Sequence, residues 1–414
     1  MSRINDLIKK LCPNGVEYKR IDEISESIRG MNSVSNKWAE DGNCKFIDYM
    51  NAYKNLAIDV TKKPYATVKD TSKQTSLKKG DILFTSASET IDECALSSVT
   101  EDEIEDNIFM DDHLFGIRLL EKYESKYSIK FLKHYFRSKE FRLKVDTTVR
   151  GVTRFYVSKP DFMKQTIPMP PLEVQNEIAI ILDKFGELEA ELEAELETRK
   201  SQYEFWRGKL LSSVGTTYKL EDICDISAGG TPSKSKSEYW ENGTIKWLGS
   251  SVCENKKTVR EVTSYITELG LSKSSAKLLK TGSTLIAMVG ATIGKVAYLD
   301  FEACTNQNVA CLYPKDTTVI SNDYLYYLCT TLYKKFTDLA NGSFAIASLG
   351  FIRNLEVVVP NLERQKYIVD VLDKFEELTN DMVNGLPAEI EARRKQYEYY
   401  RNKLLSFEEV EVNE

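Results

Sequence analysis

The segment Gly290-Ala-Thr-Ile-Gly-Lys-Val is the nearest this chain comes to a phosphate-cradling loop. Such a loop needs four residues between its glycines, so that backbone N–H groups can wrap the phosphates, and a Ser or Thr after the lysine to hold Mg²⁺. Here three residues separate Gly290 from Gly294, and Val296 follows Lys295. The other reaction chemistries lack material too. Two histidines, His113 and His134, are too few for a histidine-based dyad or metal site, and none of the eight cysteines stands at Cys-x-x-Cys spacing from another. There is no Gly-x-Gly-x-x-Gly dinucleotide loop, no Gly-x-Ser-x-Gly elbow and no Asn-Pro-Pro-aromatic segment. Carboxylates are dense in ELEAELEAELE after Gly186, where a solvated helix face explains them. The expectation is a chain with no catalytic residues, no metal site and no cofactor of its own.

Residues suited to binding DNA are present in both halves. VRGVTRFYVSKPDF puts Arg150, Arg154, Tyr156 and Lys159 on an expected loop, where cationic side chains can hold phosphates or reach guanine edges. GGTPSKSKSEYWENGTIKWLGSS offers flexible glycines, hydroxyls such as Ser250, the cations Lys234, Lys236 and Lys246, and the pair Tyr239 and Trp240. In TNQN, Asn306, Gln307 and Asn308 are amides of the kind that read adenine. Amides in a turn that cap their own backbone are at least as common. The net charge is −7, yet Lys126 to Lys164 carries eleven Lys or Arg against three acidic residues. An acidic total therefore hides a local basic face.

These residues need a frame, and the chain states one twice. PLEVQNEIAIILDKF from Pro171 returns as NLERQKYIVDVLDKF from Asn361, 190 positions later, and ETRKSQYEFWRGKLLS from Glu197 returns as EARRKQYEYYRNKLLS from Glu391, 194 positions later. Four residues have entered the second copy near Gly385 and Pro387. The stripe Ile178, Leu182, Phe185, Leu192, Leu196, Tyr203, Trp206 and Leu210 steps by four and three, broken by Glu189 and Arg199, as a helical seam does. Its second copy includes Phe375, Tyr397 and Tyr400. Forty helical residues make a rod of roughly 60 Å, and two matching rods pack most simply on each other. The insertion has the size of a stutter, while Pro387 after Gly385 would instead break the second helix. Tyr203, Phe205, Trp206, Tyr397, Tyr399 and Tyr400 exceed what one seam needs, which leaves aromatic surface for a partner protein.

Between the seams the chain reads as mixed α/β, with short β-rich runs such as TLIAMVG and NVACLYP and one expected helix per half. The expected division is 1–166, 167–213, 214–357 and 358–414: globular region, spacer helix, globular region, and second spacer with a tail. At 414 residues two domains or more are expected. The absence of long apolar runs excludes a membrane span or secretory leader, and dispersed cysteines suit reduced thiols in a cytoplasmic protein.

In this order, twice, the segments resemble the specificity subunit of type I restriction-modification enzymes: GVTRFYVSKPDFMKQTIPMPPLEVQ with RKSQYEFWRGKLLS, then VVVPNLERQ with ARRKQYEYYRNKLLSF. GGTPSKSKSEYWENGTIKWLGSS and GATIGKVAYLDFEACTNQNVACL are similar to that family's target-recognition segments. The resemblance implies two globular target-recognition domains separated by two long antiparallel coiled-coil helices with pseudo-twofold repetition, reading a bipartite double-stranded DNA target. It also implies two methyltransferase subunits that bind S-adenosylmethionine, and nuclease-translocase subunits that use ATP and Mg²⁺. The competing reading from another class is a coiled-coil adaptor between proteins, without nucleic acid.

Overall fold

The computed structural model describes residues 2–212, 214–259, 262–339, 346–381 and 384–410. They form two compact units: Met1–Glu191 with Ile390–Glu414, and Leu192–Glu389.

Each unit is organised around an antiparallel sheet whose strands run in the same order. In the first, Ser25–Arg29, Leu114–Leu119, Ile82–Thr85 and Ser97–Val99 lie side by side. In the second the order is Cys224–Ala228, Val309–Pro314, Ser283–Ala287 and Val296–Leu299, extended by Lys256–Thr258 in parallel. Ile82–Thr85 and Ser283–Ala287 are buried at every position, which is why they read as continuous apolar runs instead of alternating ones. Phenylalanines fill the first core, with Phe84 edge-on to Phe162 at 4.8 Å and Phe136 to Phe141 at 4.7 Å. The second core is richer in tyrosine: Tyr324, Tyr326 and Tyr327 are fully buried. All eight cysteines are buried free thiols.

A smaller sheet accompanies each large one. Cys44–Ile47 pairs antiparallel with Tyr65–Val68 and parallel with Ile108–Met110, and Ile245–Leu248 pairs in the same senses with Ser264–Ile266 and Cys304–Thr305. Glycine is required at the mouth of each hairpin. A Cβ on Gly42 would lie 2.3 Å from the carbonyl oxygen of Ala66, and one on Gly243 would lie 2.6 Å from the carbonyl carbon of Ile266.

Short two-stranded ladders deliver the chain to the spacer helices. Tyr18–Arg20 pairs with Thr166–Pro168, and Thr216–Lys219 with Glu356–Val359. The first spacer helix runs unbroken over Leu172–Leu211, 40 residues. The second repeat contains two helices, Leu362–Asn380 and Leu386–Leu404, so the expectation of one long second helix is corrected; of the two readings, stutter or break, the chain takes the break, which falls before Leu386 and not at Pro387 itself. The physical cause lies in Gly385, whose N–H donates to the Asp381 carbonyl at 3.1 Å. A Cβ there would meet the carbonyl oxygens of Asp381 and Glu377 at 2.6 Å. Pro387 falls in the first turn of the following helix, where its missing N–H costs nothing.

Helix pairing is antiparallel inside each unit. In the first, Phe185 stacks on Tyr400 at 5.4 Å while Arg394 Nε reaches Glu189 Oε1 at 2.6 Å. In the second, Tyr203 packs against Phe375, and Leu210 and Leu211 join Ile368 and Leu372 in the core. Among the described residues, no helix is long and apolar enough to cross a membrane.

Candidate nucleic-acid interface

Any interface must be held by the junction between sheet and spacer, and that junction is the same in both units. Gln175, fully buried, accepts a hydrogen bond from the Ser128 N–H at 2.8 Å and donates to the carbonyls of Lys126 and Pro170 at 2.9 and 2.7 Å. Gln365 repeats this with the Ser321 N–H at 2.9 Å and the carbonyls of Val319 and Pro360, both at 2.8 Å. Glutamine suits the position because one amide supplies both the acceptor and the two donors that a buried strand-to-helix corner leaves unpaired.

About two turns further along each spacer helix lies a half-buried carboxylate. Asp183 Oδ1 accepts from His134 Nε2 at 2.8 Å and from Lys133 at 2.7 Å, and Lys133 also reaches Glu101 at 2.6 Å. A carboxylate here only accepts, so His134 carries its proton on Nε2 and takes the Tyr397 hydroxyl's hydrogen bond at Nδ1, 3.0 Å away. Burial pulls the imidazole below its ordinary pKa, against the pull of Asp183. For Asp183, burial pushes upward, but His134 and Lys133 outweigh it and hold the carboxyl at about 2. In the second unit the Tyr327 hydroxyl donates to Asp373 Oδ1 at 2.5 Å, and Lys257 bridges Asp373 and Asp323 at 2.6 and 2.9 Å. Tyr203 donates to Glu376, whose carboxyl is raised by burial; Gly186 occupies the corresponding place in the first unit. These hydrogen-bonded, partly buried networks tie the spacer helices to the globular regions.

At the other side of each sheet the chain makes the same tight turn. Asp111 N–H donates to the Ile47 carbonyl at 3.0 Å, its Oδ1 caps the His113 N–H at 2.8 Å, and the Ser86 N–H donates to the His113 carbonyl at 3.0 Å. In the second unit Asn306 N–H donates to Leu248 at 3.0 Å, Asn306 Oδ1 caps Asn308 N–H at 3.0 Å, and Met288 N–H donates to Asn308 at 2.8 Å. The turns Asp111-Asp112-His113 and Asn306-Gln307-Asn308 are therefore structural counterparts. In each, the first side chain is consumed by the cap and the second, Asp112 or Gln307, is exposed.

The two turns have different neighbours. Lys37 Nζ contacts Asp111 at 3.1 Å, Asp112, and His113 Nδ1 at 3.3 Å. Burial draws the ammonium's pKa down, but Asp112 and Asp111 override that and raise it. Asp111, Asp112 and His113 are close enough to bracket a metal ion, but the Lys37 ammonium already contacts all three. Beside Lys37, Trp38 is 61% exposed with a φ of +62°, edge-on to Phe46 at 5.5 Å. Gln307 Oε1 accepts from the Thr231 hydroxyl at 2.6 Å.

Of the first-half candidates, Arg150, Arg154 and Tyr156 lie exposed on the hairpin Val149–Gly151 and Phe155–Val157. That hairpin joins the turn through Ser86, whose carbonyl accepts from the Val157 N–H at 3.0 Å and whose hydroxyl donates to the His113 carbonyl at 2.6 Å. Arg150 is steadied by Asp161 at 3.2 Å. Lys159 lies over the Phe115 ring, and burial with Arg29 nearby lowers its pKa.

The second-half candidates divide. Lys234 and Lys236 are exposed, and Ser250 is half-buried at the start of a short 3₁₀ turn. Four others make contacts within the protein. Tyr239 is 5% exposed and its hydroxyl accepts from Lys236, so it is a core residue. Trp240 packs edge-on to Trp247 and donates Nε1–H to the Ser233 carbonyl, which makes it a brace. Lys246 is tethered 3.7 Å above the Phe301 ring. Asn306 spends its side chain on the turn, leaving Gln307 as the outward amide and Asn308 half-buried beside it.

The spacer candidates Ile178, Phe185, Tyr203, Phe375, Tyr397 and Tyr400 pack in the core or at its margin, and Leu192 is half-buried. Trp206 departs from the seam: it is 39% exposed, edge-on to Phe205, under the Lys209 ammonium at 5.0 Å. Of the residues that sequence reasoning missed, Gln175, Gln365 and the neighbourhood of Lys37 had a faint signal each, and Asp112 had none. Both glutamines stand in the repeated Leu-Glu-x-x-Gln. The Trp38 region, W-x₃-G-x₂-K-F-I, parallels W-x₂-G-x₂-K-W-L from Trp240 once a one-residue gap is allowed.

The family described as the type I restriction modification DNA specificity domain matches residues 13–198 and again 215–392. The specificity subunit of the Escherichia coli type I restriction enzyme EcoR124I/EcoR124II is 37% identical over 273 residues, covering 63% of this chain and 67% of that one. A putative type I restriction enzyme specificity subunit of Haemophilus influenzae is 31% identical over 303 residues, 69% of this chain and 74% of that one. Among solved structures, the S subunit of a type I restriction-modification system from M. genitalium aligns with TM-score 0.52 at 16% identity over 94% of this chain and 96% of that one. The corresponding subunit from Thermoanaerobacter tengcongensis gives 0.54 at 17% over 95% and 97%. At such identities these two speak for the fold alone. With its frame stated twice and the family matched twice along most of its length, the chain belongs to the type I restriction-modification specificity-subunit family.

Proposed function

We propose that this chain, a recognition subunit and not itself the catalyst, reads a bipartite double-stranded DNA target, one half with each unit. The observation that carries the reading is a constant frame around variable turns. Gln175 and Gln365 make the same three bonds, while the exposed residues at the equivalent turns, Asp112 and Gln307, differ in chemistry. A protein that needs two readers of different sequence in one geometry would vary those positions and keep the rest. The exposed hairpin with Arg150 and Arg154 supplies phosphate contacts that position without specifying.

The same reading gives the chain a scaffold role for methyltransferase subunits and, in restriction, nuclease-translocase subunits, in the cytoplasm where the DNA is. Aromatic pairs recur on the spacer helices: exposed Phe205 with Trp206 under Lys209, and exposed Tyr399 beside Lys403 with half-buried Tyr400 edge-on to it. Two equivalent patches of that kind suit two copies of one partner. S-adenosylmethionine, ATP and Mg²⁺ would belong to those partners.

The test is DNA binding by the chain co-purified with its methyltransferase, titrated with salt. Affinity for a specific duplex should fall steeply between 50 and 200 mM salt, by about 10³-fold or more if six or more phosphates are contacted. Absence of salt-dependent DNA binding would instead favour the protein adaptor, and equal affinity for every duplex would overturn sequence-specific reading.

A further inference from the structure

The paired turns assign a reading chemistry to the first unit, and the inference rests on the DNA-recognition reading above. In the second turn the middle residue is the one left exposed after the backbone bonds and the cap have been made; in the first, Asp112 and His113 are both exposed, and Asp112 holds the place of Gln307. Both middle residues are also steadied from the side, Asp112 by Lys37 and Gln307 by Thr231, so their polar ends are oriented before any duplex arrives. What differs is the hydrogen-bonding character. The Gln307 amide keeps its NH₂ as donor and its oxygen as acceptor, the pattern that matches the N6 and N7 edge of adenine. Asp112 carries no donor: its carboxyl is held below the ordinary carboxylate range, where burial pushes up but Lys37 prevails.

We infer that Asp112 is a specificity-determining residue of the first unit, accepting a hydrogen bond from the N4 amino group of a cytosine in the major groove, with Lys37 as its positioning residue. Guanine offers this carboxylate only the O6 and N7 acceptors there, and thymine only O4 and a methyl group, so neither supplies a donor; adenine supplies N6–H₂ but sets the N7 lone pair beside it, which repels the second carboxylate oxygen. A carboxylate facing DNA needs a cationic surround, and the structure supplies one. Lys37 touches it directly, and the hairpin carrying Arg150 and Arg154 is bonded to the same turn through Ser86. Gln307 then reads an adenine in the other half of the target. The two halves of the recognised sequence differ at this position because one turn presents an acid where the other presents an amide.

The experiment maps methylated adenines across the genome of a host carrying the full chain with its methyltransferase subunits, for wild type, Asp112→Ala, Asp112→Gln and Gln307→Ala. The wild-type motif should contain a cytosine in one half that Asp112→Ala relaxes by about tenfold or more in preference, with the other half unchanged as an internal control of folding. Asp112→Gln should move that position towards adenine, and Gln307→Ala should relax an adenine in the opposite half. A motif unaltered by Asp112→Ala and Asp112→Gln, or altered in both halves, overturns the assignment while leaving DNA recognition standing. A wild-type complex that methylates without any sequence motif overturns the recognition reading and this inference together.

Discussion

His134 and Tyr327 occupy equivalent places and hydrogen-bond equivalent aspartates, yet only the imidazole is a group whose ordinary pKa lies near neutrality. The imidazole's folded pKa is depressed by burial, so the unfolded chain binds its proton more readily. Its contribution to stability is present above the unfolded value of about 6.5 and is lost as pH falls below it. Asp183, held at about 2 against 3.8, contributes above the unfolded value and loses that contribution as pH falls towards 2. The first unit should therefore weaken in two acid steps. Protection of the helix Ile129–Tyr135 in the full chain, corrected for the intrinsic pH dependence of amide exchange, should fall as pH drops below about 6.5, and His134→Tyr should abolish that first step. An unchanged slope in the variant would rule the histidine out as its origin. The sequence supported the expectation that His134 does no chemistry, since it had no companions. Its bond to Asp183 was hidden because the partners lie 49 residues apart and the repeat puts a tyrosine in the matching place.

The strand-to-helix corner is where element and sequence correspond most closely. PMPPLEVQ and VVVPNLERQ looked like punctuation before a helix, and the structure adds that the closing glutamine satisfies three buried backbone groups in each copy. Gln175→Ala would leave those groups unpaired, at about 1–3 kcal/mol each before relaxation. We expect it to destabilise the first unit by about 3 kcal/mol, and Gln365→Ala the second by a similar amount. Each variant should expose protease sites in its own unit at lower denaturant, and a shift below about 0.5 kcal/mol in both would dismiss the glutamine as the corner's support. Helix period was legible because apolar spacing must follow the backbone. The break before Pro387 was legible only as an option, because whether four extra residues stutter or stop a helix depends on where Gly385 meets the carbonyls of the preceding turn.

At the scale of the molecule, the duplication was plain in the spacer and nearly silent in the globular regions. Spacer residues are fixed by what they touch, such as Phe185 against Tyr400 and Tyr203 against Phe375. The sheets and turns are held largely by backbone bonds that most residues can make, so Asp111-Asp112-His113 and Asn306-Gln307-Asn308 share a conformation and only one cap chemistry. That freedom predicts modularity. Exchanging residues 216–357 for the corresponding stretch of a relative should change one half of the methylated motif and leave the other, and a change in both halves would refute it. The first unit is also discontinuous: Leu404 and Leu405 complete a core begun at Ile4, and Val16 exchanges backbone bonds with Glu408 and Val410. The second unit closes within one continuous stretch. On the ribosome, at roughly 5–20 residues per second, the half made first must wait some tens of seconds for its last helix, while the half made second can finish before it. The amino-terminal reader is thus the interval's vulnerable species, the one whose apolar face a chaperone would cover.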